Sequence, residues 1–404
     1  MNSDLLYPST LPSLADRLYS PKTSSQKETS GPLEETIHSF HVNHHERLQN
    51  YLRAATHRKI PEAGLYVLQE TRQKGLPPNG FHPHLQSFPH STENTGGYFI
   101  RWNGKGIVLN PGPYFLDYFH KEGLHVKDID FVIVTRANPD AYADIKDIHT
   151  INVQLNKIGS ELQIIHYYLI QSAYEILSPV LKPHFKQERH TIHPLEFFID
   201  SPEIEKIDID QGIILNYFSN EKYHQELASN AHAITKPSSL GIRLDFLQEN
   251  KVHTRMGYIS GTAWTPFLAH DLGNCDLLIA GFGNTTADDY EKVRYNEDSL
   301  GYYGCFTLLE ELKPKLMIYT EFDGRDGDIR LDIIKRMRQE YSIVYPDFPT
   351  PMMIPGNTGL FLDLKHLKVP CANTKNLISL QDIRAVKTGD SFKPFLYLSP
   401  DCWS

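Results

Sequence analysis

The 404-residue chain reads as a layered α/β sandwich. Short apolar runs of strand character outnumber helical segments early in the chain, and strands alternate with amphipathic helices later. That order fits sheets layered with helices better than an all-parallel doubly wound sheet. A hydrophobic content of 40% is ordinary for a globular protein, and the length suits one large domain with extensions or two domains. No internal repeat at a solenoid period is visible.

Taken in order, residues 1–60 are polar and expected to be mostly disordered; "YSPKTSSQKETSGPLEET" has little to bury. Within them "HSFHVNHHERLQNYLRAATHR" predicts a short helix. Its His38, His41, His44 and His45 read as a polar tail, because no Cys or carboxylate pattern completes a metal site. The main domain is placed at 61–365 and a small extension at 366–404. "YFIRW" and "IVL" flank Asn103-Gly104, which predicts a hairpin with a positive-φ turn. "PYFLDYFHKEGL" predicts a helix with Pro113 near its start and Gly123 as its C-cap. "IDFVIVT" is an unbroken apolar run, as in a strand buried on both faces. Ile145, Ile148, Ile151, Leu155 and Ile158 step by three or four and predict an amphipathic helix. "LQIIHYYLI", "SAYEILSPVL", "GIILNYF", "LGIRLDFL", "MGYIS" and "CDLLIAGFG" continue the strand and helix units. A helix in "SLGYYGCFTLLEELK", a strand in "LMIYTEF", a helix in "DIRLDIIKRMRQEY" and the pair "PMMIP" and "GLFLDL" complete the domain.

Several function classes are disfavoured. A net charge of −9 argues against bulk electrostatic binding of nucleic acid. Cys275, Cys305, Cys371 and Cys402 are widely spaced without a C-x-x-C, as in a reducing compartment. No basic n-region precedes an apolar core at the N-terminus, and no apolar run approaches ~18 residues, so a cytoplasmic protein without a membrane span is expected. G-x-x-x-x-G-K-[ST], G-x-S-x-G and H-E-x-x-H are absent, and "NGKGIVLNPG" reads as a hairpin rather than a phosphate loop.

One stretch invites closer reading: "VIVTRANPDAYADI" fits the frame T-H-x-H-x-D-H with its histidine positions changed. Together with "GGYFIRWNGKGIVLNPGP", "MGYISGTAW", "CDLLIAGFG" and "LEELKPKLMIYTEF", in that order, it resembles the metallo-β-lactamase-fold hydrolases, nearest their ribonuclease Z and phosphodiesterase-like branch. The resemblance runs from about Gly96 to Asp363 and implies a four-layer αββα sandwich. It also implies two Zn²⁺ ions sharing a hydroxide, held by histidines and a bridging aspartate.

In this chain Arg136, Asn138 and Ala141 stand at the clustered histidine positions, and Gly261 stands where the bridging aspartate is expected. Glu321 lies where a last histidine is expected, Asp140 keeps its place, and His224 aligns with a middle histidine. Asp140 can equally cap the next helix, His224 can be a surface residue, and Glu321 sits in an acidic stretch that reads as solvated. His82, His84 and His90 are a weaker metal candidate. Cys371 and Cys402 fall near the first and last places of a Cys-based zinc ribbon whose partners are missing, so the extension reads as eroded.

The expectation is a metal-free pseudoenzyme, without cofactor, that binds a protein partner or a small anionic ligand. The alternative is an active metal-dependent phosphodiester hydrolase holding one divalent ion (Zn, Mn or Fe) on Asp140, His224 and Glu321. A third reading is a structural partner with an inert, filled pocket. Arg136 is expected to turn into the cleft and pair with Asp140, Glu321 or both. Otherwise it faces solvent, with Tyr142 or Trp264 closing the cleft.

Overall fold

The structure is a computed structural model. It describes residues 31–56, 59–73, 92–159, 161–181, 190–198, 204–220, 234–235, 237–284, 290–323, 330–348, 350–356, 359–367, 386–388 and 391–393. The chain divides into two compact units, Met1–His57 and Arg58–Ser404.

In the first unit a 26-residue helix, α1, spans Gly31–Thr56. It is longer than the short helix expected, and it replaces with regular structure much of a segment expected to be mostly disordered. Glycine and proline occupy only its first two positions, where neither interrupts the backbone ladder. His38, His41, His44 and His45 all lie on it and are exposed, and His45 bonds Gln49 one turn on at 2.8 Å.

The second unit begins with β1 (Gly64–Val67), β2 (Glu70–Gln73), β3 (Thr92–Thr95), β4 (Tyr98–Trp102) and β5 (Lys105–Leu109). There follow α2 (Phe115–Lys121), β6 (Phe131–Val134), α3 (Pro139–Tyr142), α4 (Ile145–Ile158), β7 (His166–Ile170) and α5 (Gln171–Leu181). Next are β8 (Thr191–Leu195), β9 (Phe197–Phe198), β10 (Glu205–Asp210), β11 (Ile213–Ser219), β12 (Ile234–Thr235), β13 (Leu240–Gln248) and β14 (Lys251–Ile259). The unit continues with α6 (Pro266–Leu272), β15 (Leu277–Asn284), α7 (Gly301–Leu312), β16 (Leu316–Asp323) and α8 (Arg330–Val344). It ends with β17 (Met352–Pro355), β18 (Leu360–Leu362), β19 (Val386–Thr388) and β20 (Ser391–Lys393). Of the expected C-terminal extension, residues 366–367 and the last two strands, an antiparallel pair, are described; Cys371 and Cys402 lie outside the described residues, as do His82, His84 and His90.

Two seven-stranded sheets form the centre. The first runs β18-β1-β4-β5-β6-β7-β8 and the second β10-β11-β13-β14-β15-β16-β17. Both follow one plan. In the first sheet the pairings are antiparallel as far as β5 and parallel beyond it. In the second they are antiparallel as far as β14 and parallel beyond it. Helices cover the outer faces, giving the αββα sandwich.

Local chemistry explains these elements. The turn joining β4 to β5 uses Asn103 at φ 49° and Gly104 at φ 81°, the two residues that tolerate this region best. The FVIV run of β6 is buried throughout, as a parallel strand covered on both faces must be. On α4 the buried residues are Ile145, Ile148, His149, Asn152 and Leu155, whereas Ile151 and Ile158 are half-buried. The inward face is therefore rotated towards the polar His149 and Asn152. Asn152 can be buried because its side-chain amide donates to the Gln163 carbonyl at 3.1 Å.

Between the sheets Tyr98 meets Tyr258 edge-on at 5.5 Å, and Trp102 lies 5.1 Å from Phe246. Trp102 Nε1 also donates to the Leu247 carbonyl at 3.0 Å. Each such aromatic takes on the order of 150–250 Å² out of water, worth roughly 4–6 kcal/mol before entropy is counted. Outside the second sheet Leu268 and Leu272 of α6, Leu308 and Leu309 of α7, and Ile334 and Met337 of α8 close a second core over Ile259, Leu278 and Met317. Among the described residues no helix is long and apolar enough to cross a membrane.

Candidate functional site

In each sheet one strand marks the change from antiparallel to parallel pairing: β5 in the first and β14 in the second. Asn110 directly follows β5, Thr135 follows β6, Ser260 follows β14, and Glu321 lies near the end of β16. All four side chains are buried.

They form one hydrogen-bonded network. The Thr135 backbone N–H donates to Asn110 Oδ1 at 2.9 Å, which fixes the orientation of that amide. Asn110 Nδ2 then donates to Thr135 Oγ1 at 2.9 Å and to the Tyr258 hydroxyl oxygen at 3.0 Å. Tyr258, so engaged as an acceptor, donates to Glu321 Oε1 at 3.0 Å. Ser260 Oγ donates to Glu321 Oε2. Burial first, then the neighbouring carboxylate, pushes the Tyr258 phenol well above its usual range, so it stays a proton donor. Glu321 adopts φ 53°, a left-handed conformation unusual for a glutamate, and three side chains hold it there.

The third of these is Arg136. Its Nη1 lies 3.0 Å from Glu321 Oε2, with the two side chains 14% and 6% exposed. Burial alone would weaken the arginine as a base, but Glu321, followed by Tyr258, Tyr98 and Asp140, raises its pKa beyond the ordinary value. The Arg136 backbone is bridged antiparallel to Ser239, whose Oγ donates to the Gly261 carbonyl at 3.1 Å. Gly261 has φ 65°, and a Cβ there would lie 2.9 Å from Arg136 Cδ. A side chain there would crowd the arginine and strain the left-handed backbone, which suits glycine.

The sequence-derived candidates thus separate. Arg136, Gly261 and Glu321 come together, and the expected ion pair is made with Glu321. Glu321 is buried rather than solvated: it belongs to β16 instead of the acidic stretch that follows. Asn138 caps α3, accepting from the Asp140 N–H at 3.4 Å, and the following helix α4 has Asp144 rather than Asp140 at its N-cap position. Asp140 sits in the first turn of α3, and Ala141 is fully buried. Gly112 allows this loop to approach closely, since a Cβ there would lie 2.0 Å from the Asp140 carbonyl. His224 lies outside the described residues. Tyr142 is half-buried, and Trp264 stacks on Tyr295 at 4.5 Å. Sequence reasoning missed Asn110, Tyr258 and Ser260, which sit in the quoted segments "NPG" and "MGYIS" and share only the property of being polar at the end of an apolar run.

These groups do not suit a divalent cation. Both Glu321 oxygens already accept hydrogen bonds, one of them from a guanidinium. Among the described residues no three His, Cys, Asp or Glu side chains converge in a way that could hold a metal ion.

The architecture matches known structures. The chain superimposes on the metallo-beta-lactamase fold protein YhfI from Bacillus subtilis with a TM-score of 0.51, covering 74% of this chain and 98% of that one at 12% identity. This protein has the metallo-β-lactamase fold. The human short-form tRNase Z gives a TM-score of 0.46 at 12% identity, covering 69% of this chain and 95% of that one. A diphosphatase from the PhnP family gives 0.45 at 15%, covering 76% of this metallo-β-lactamase-fold chain and all (100%) of its own. No protein-family model matches the sequence, and no curated protein does.

Proposed function

We propose that this metallo-β-lactamase-fold protein is a pseudoenzyme that works without a metal ion, by binding a protein partner or a small anionic ligand in a regulatory or scaffolding role. One observation carries the reading: the Arg136 guanidinium pairs with Glu321 at 3.0 Å, at the carboxyl ends of the strands where the fold's catalytic metals are expected. A fixed positive charge on that carboxylate repels a divalent cation, and its hydrogen bonds engage lone pairs on both oxygens that the cation would use. The alternative, a mononuclear phosphodiesterase on Asp140, His224 and Glu321, would require Glu321 to exchange its arginine, serine and tyrosine donors for the ion.

The test is metal analysis of the protein as purified, together with assay on a generic phosphodiester. The expected result is less than one equivalent of zinc, manganese or iron and no chelator-sensitive turnover. Stoichiometric metal with turnover abolished by chelator would overturn the proposal.

A further inference from the structure

We infer that the pocket around Glu321 is a guanidinium receptor, that Arg136 is its resident cation, and that Asn110 is the positioning residue that sets its polarity. The inference rests on the metal-free reading and extends it to what the pocket is built to hold.

The polarity follows from a chain of forced hydrogen bonds. A backbone N–H has only a proton to offer, so Thr135 obliges Asn110 to present its carbonyl oxygen there. The amide nitrogen is then turned towards Tyr258, and the tyrosine is left with its own proton for Glu321. Ser260 directs a second hydroxyl proton at the other carboxylate oxygen. Both hydroxyls that reach Glu321 thus donate to it, and the charge that balances it is the planar arginine head. An aspartate at 110 would draw the Tyr258 proton to itself and dissolve that arrangement.

The room for the cation is equally specific. Gly261 is exposed, left-handed at φ 65°, and would touch Arg136 through any side chain. Positions 136 and 261, far apart in sequence, are therefore one coupled choice. The Arg136 Nε–H is buried with no hydrogen-bond partner among the described residues, so the head is held by shape and by a single oxygen of Glu321. A compact ammonium or a hydrated metal ion meets neither condition, since each needs several oxygen or nitrogen partners of its own.

The experiment is chemical rescue of Arg136→Ala in the full chain, read as melting temperature. Methylguanidinium at millimolar concentration is compared with zinc chloride and with sodium chloride at matched ionic strength. The expected result is a saturable recovery of several degrees with methylguanidinium alone, and none in the unaltered protein, whose pocket is filled. Recovery with zinc equal to or greater than that with methylguanidinium, or no recovery with either, would overturn the inference. Should Arg136→Ala not fold, the unaltered protein serves: its Arg136 Nε–H proton signal, assigned by its loss in Arg136→Lys, should exchange slowly with solvent, and rapid exchange would overturn the inference. Stoichiometric metal in the unaltered protein would sink both readings, whereas a metal-free protein that fails rescue sinks this one alone.

Discussion

Two arginine–glutamate pairs in this protein have similar contact distances and differ in surroundings. Arg136 and Glu321 are 3.0 Å apart with 14% and 6% of their side chains exposed. Arg336 and Glu340, one turn apart on α8, are 2.7 Å apart with 57% and 25% exposed. The surface pair is embroidered with tyrosines: Tyr290 and Tyr302 donate to Glu340, and Arg336 Nε also reaches the Tyr290 hydroxyl. Contact distance therefore says little about what each pair does. On α8 water can replace either partner and the helix already holds both in place, so the pair contributes little. In the cleft both charges are largely shielded from water, and the contact joins the loop after β6 to β16. Loss of one partner strands the other.

The comparison is broken most sharply by Arg136→Ala. Leaving Glu321 buried without its cation should cost about 3–5 kcal/mol in urea unfolding, while Arg336→Ala should cost far less. Equal losses at the two sites would erase the distinction drawn here. A smaller effect is expected at Gly261→Ala, about 1–3 kcal/mol from backbone strain and crowding of Arg136. Most of the crowding part should vanish in the Arg136→Ala background, so a double-mutant cycle that adds without coupling would contradict the packing described.

The smallest effect concerns Asp144, next to the same loop. Burial first, partly offset by the Leu116 N–H that it accepts at 2.9 Å, pushes its carboxyl up to about 6. The unfolded value is about 3.9. The folded state therefore keeps this proton longer than the unfolded state does. The contribution is complete below about pH 4 and is lost as pH rises through about 6. Asp144→Asn should flatten that part of the stability profile and, after discounting for solvent screening of this partly exposed carboxyl, gain about 1 kcal/mol at pH 7 while changing nothing below pH 4. A pH profile unaltered by the substitution would remove Asp144 as its source.

The fold was largely legible in the sequence because it is written in local patterns. The Asn103-Gly104 turn, the apolar run of β6 and the period of α4 are each complete within a few residues. Arg136 and Gly261 were legible as departures from a resemblance, though their mutual dependence was not. Nothing in a linear pattern records that a Cβ at 261 would strike a side chain from another sheet. Glu321 was misjudged as solvated because the acidic residues after it dominate the composition, whereas its burial is decided by membership of β16. Asn110 and Tyr258 escaped notice because their bond spans 148 residues and leaves no periodic trace. On α1 a histidine-rich composition read as a polar tail, and spacing alone underestimated how far the helix extends.

The shared plan of the two sheets has a consequence in time. Arg136 lies two residues beyond β6 of the first sheet and Glu321 lies in β16 of the second, so neither sheet completes the pair while it assembles alone. Their contact closes a loop of 185 residues, and the entropy of such a closure is met only when most of the chain is already ordered. On that count the pair is expected to form late, on the native side of the folding barrier. Its loss should leave the refolding rate nearly unchanged and show almost entirely as faster unfolding. The pair then acts as a kinetic lock, setting how long a folded molecule persists rather than how readily it forms.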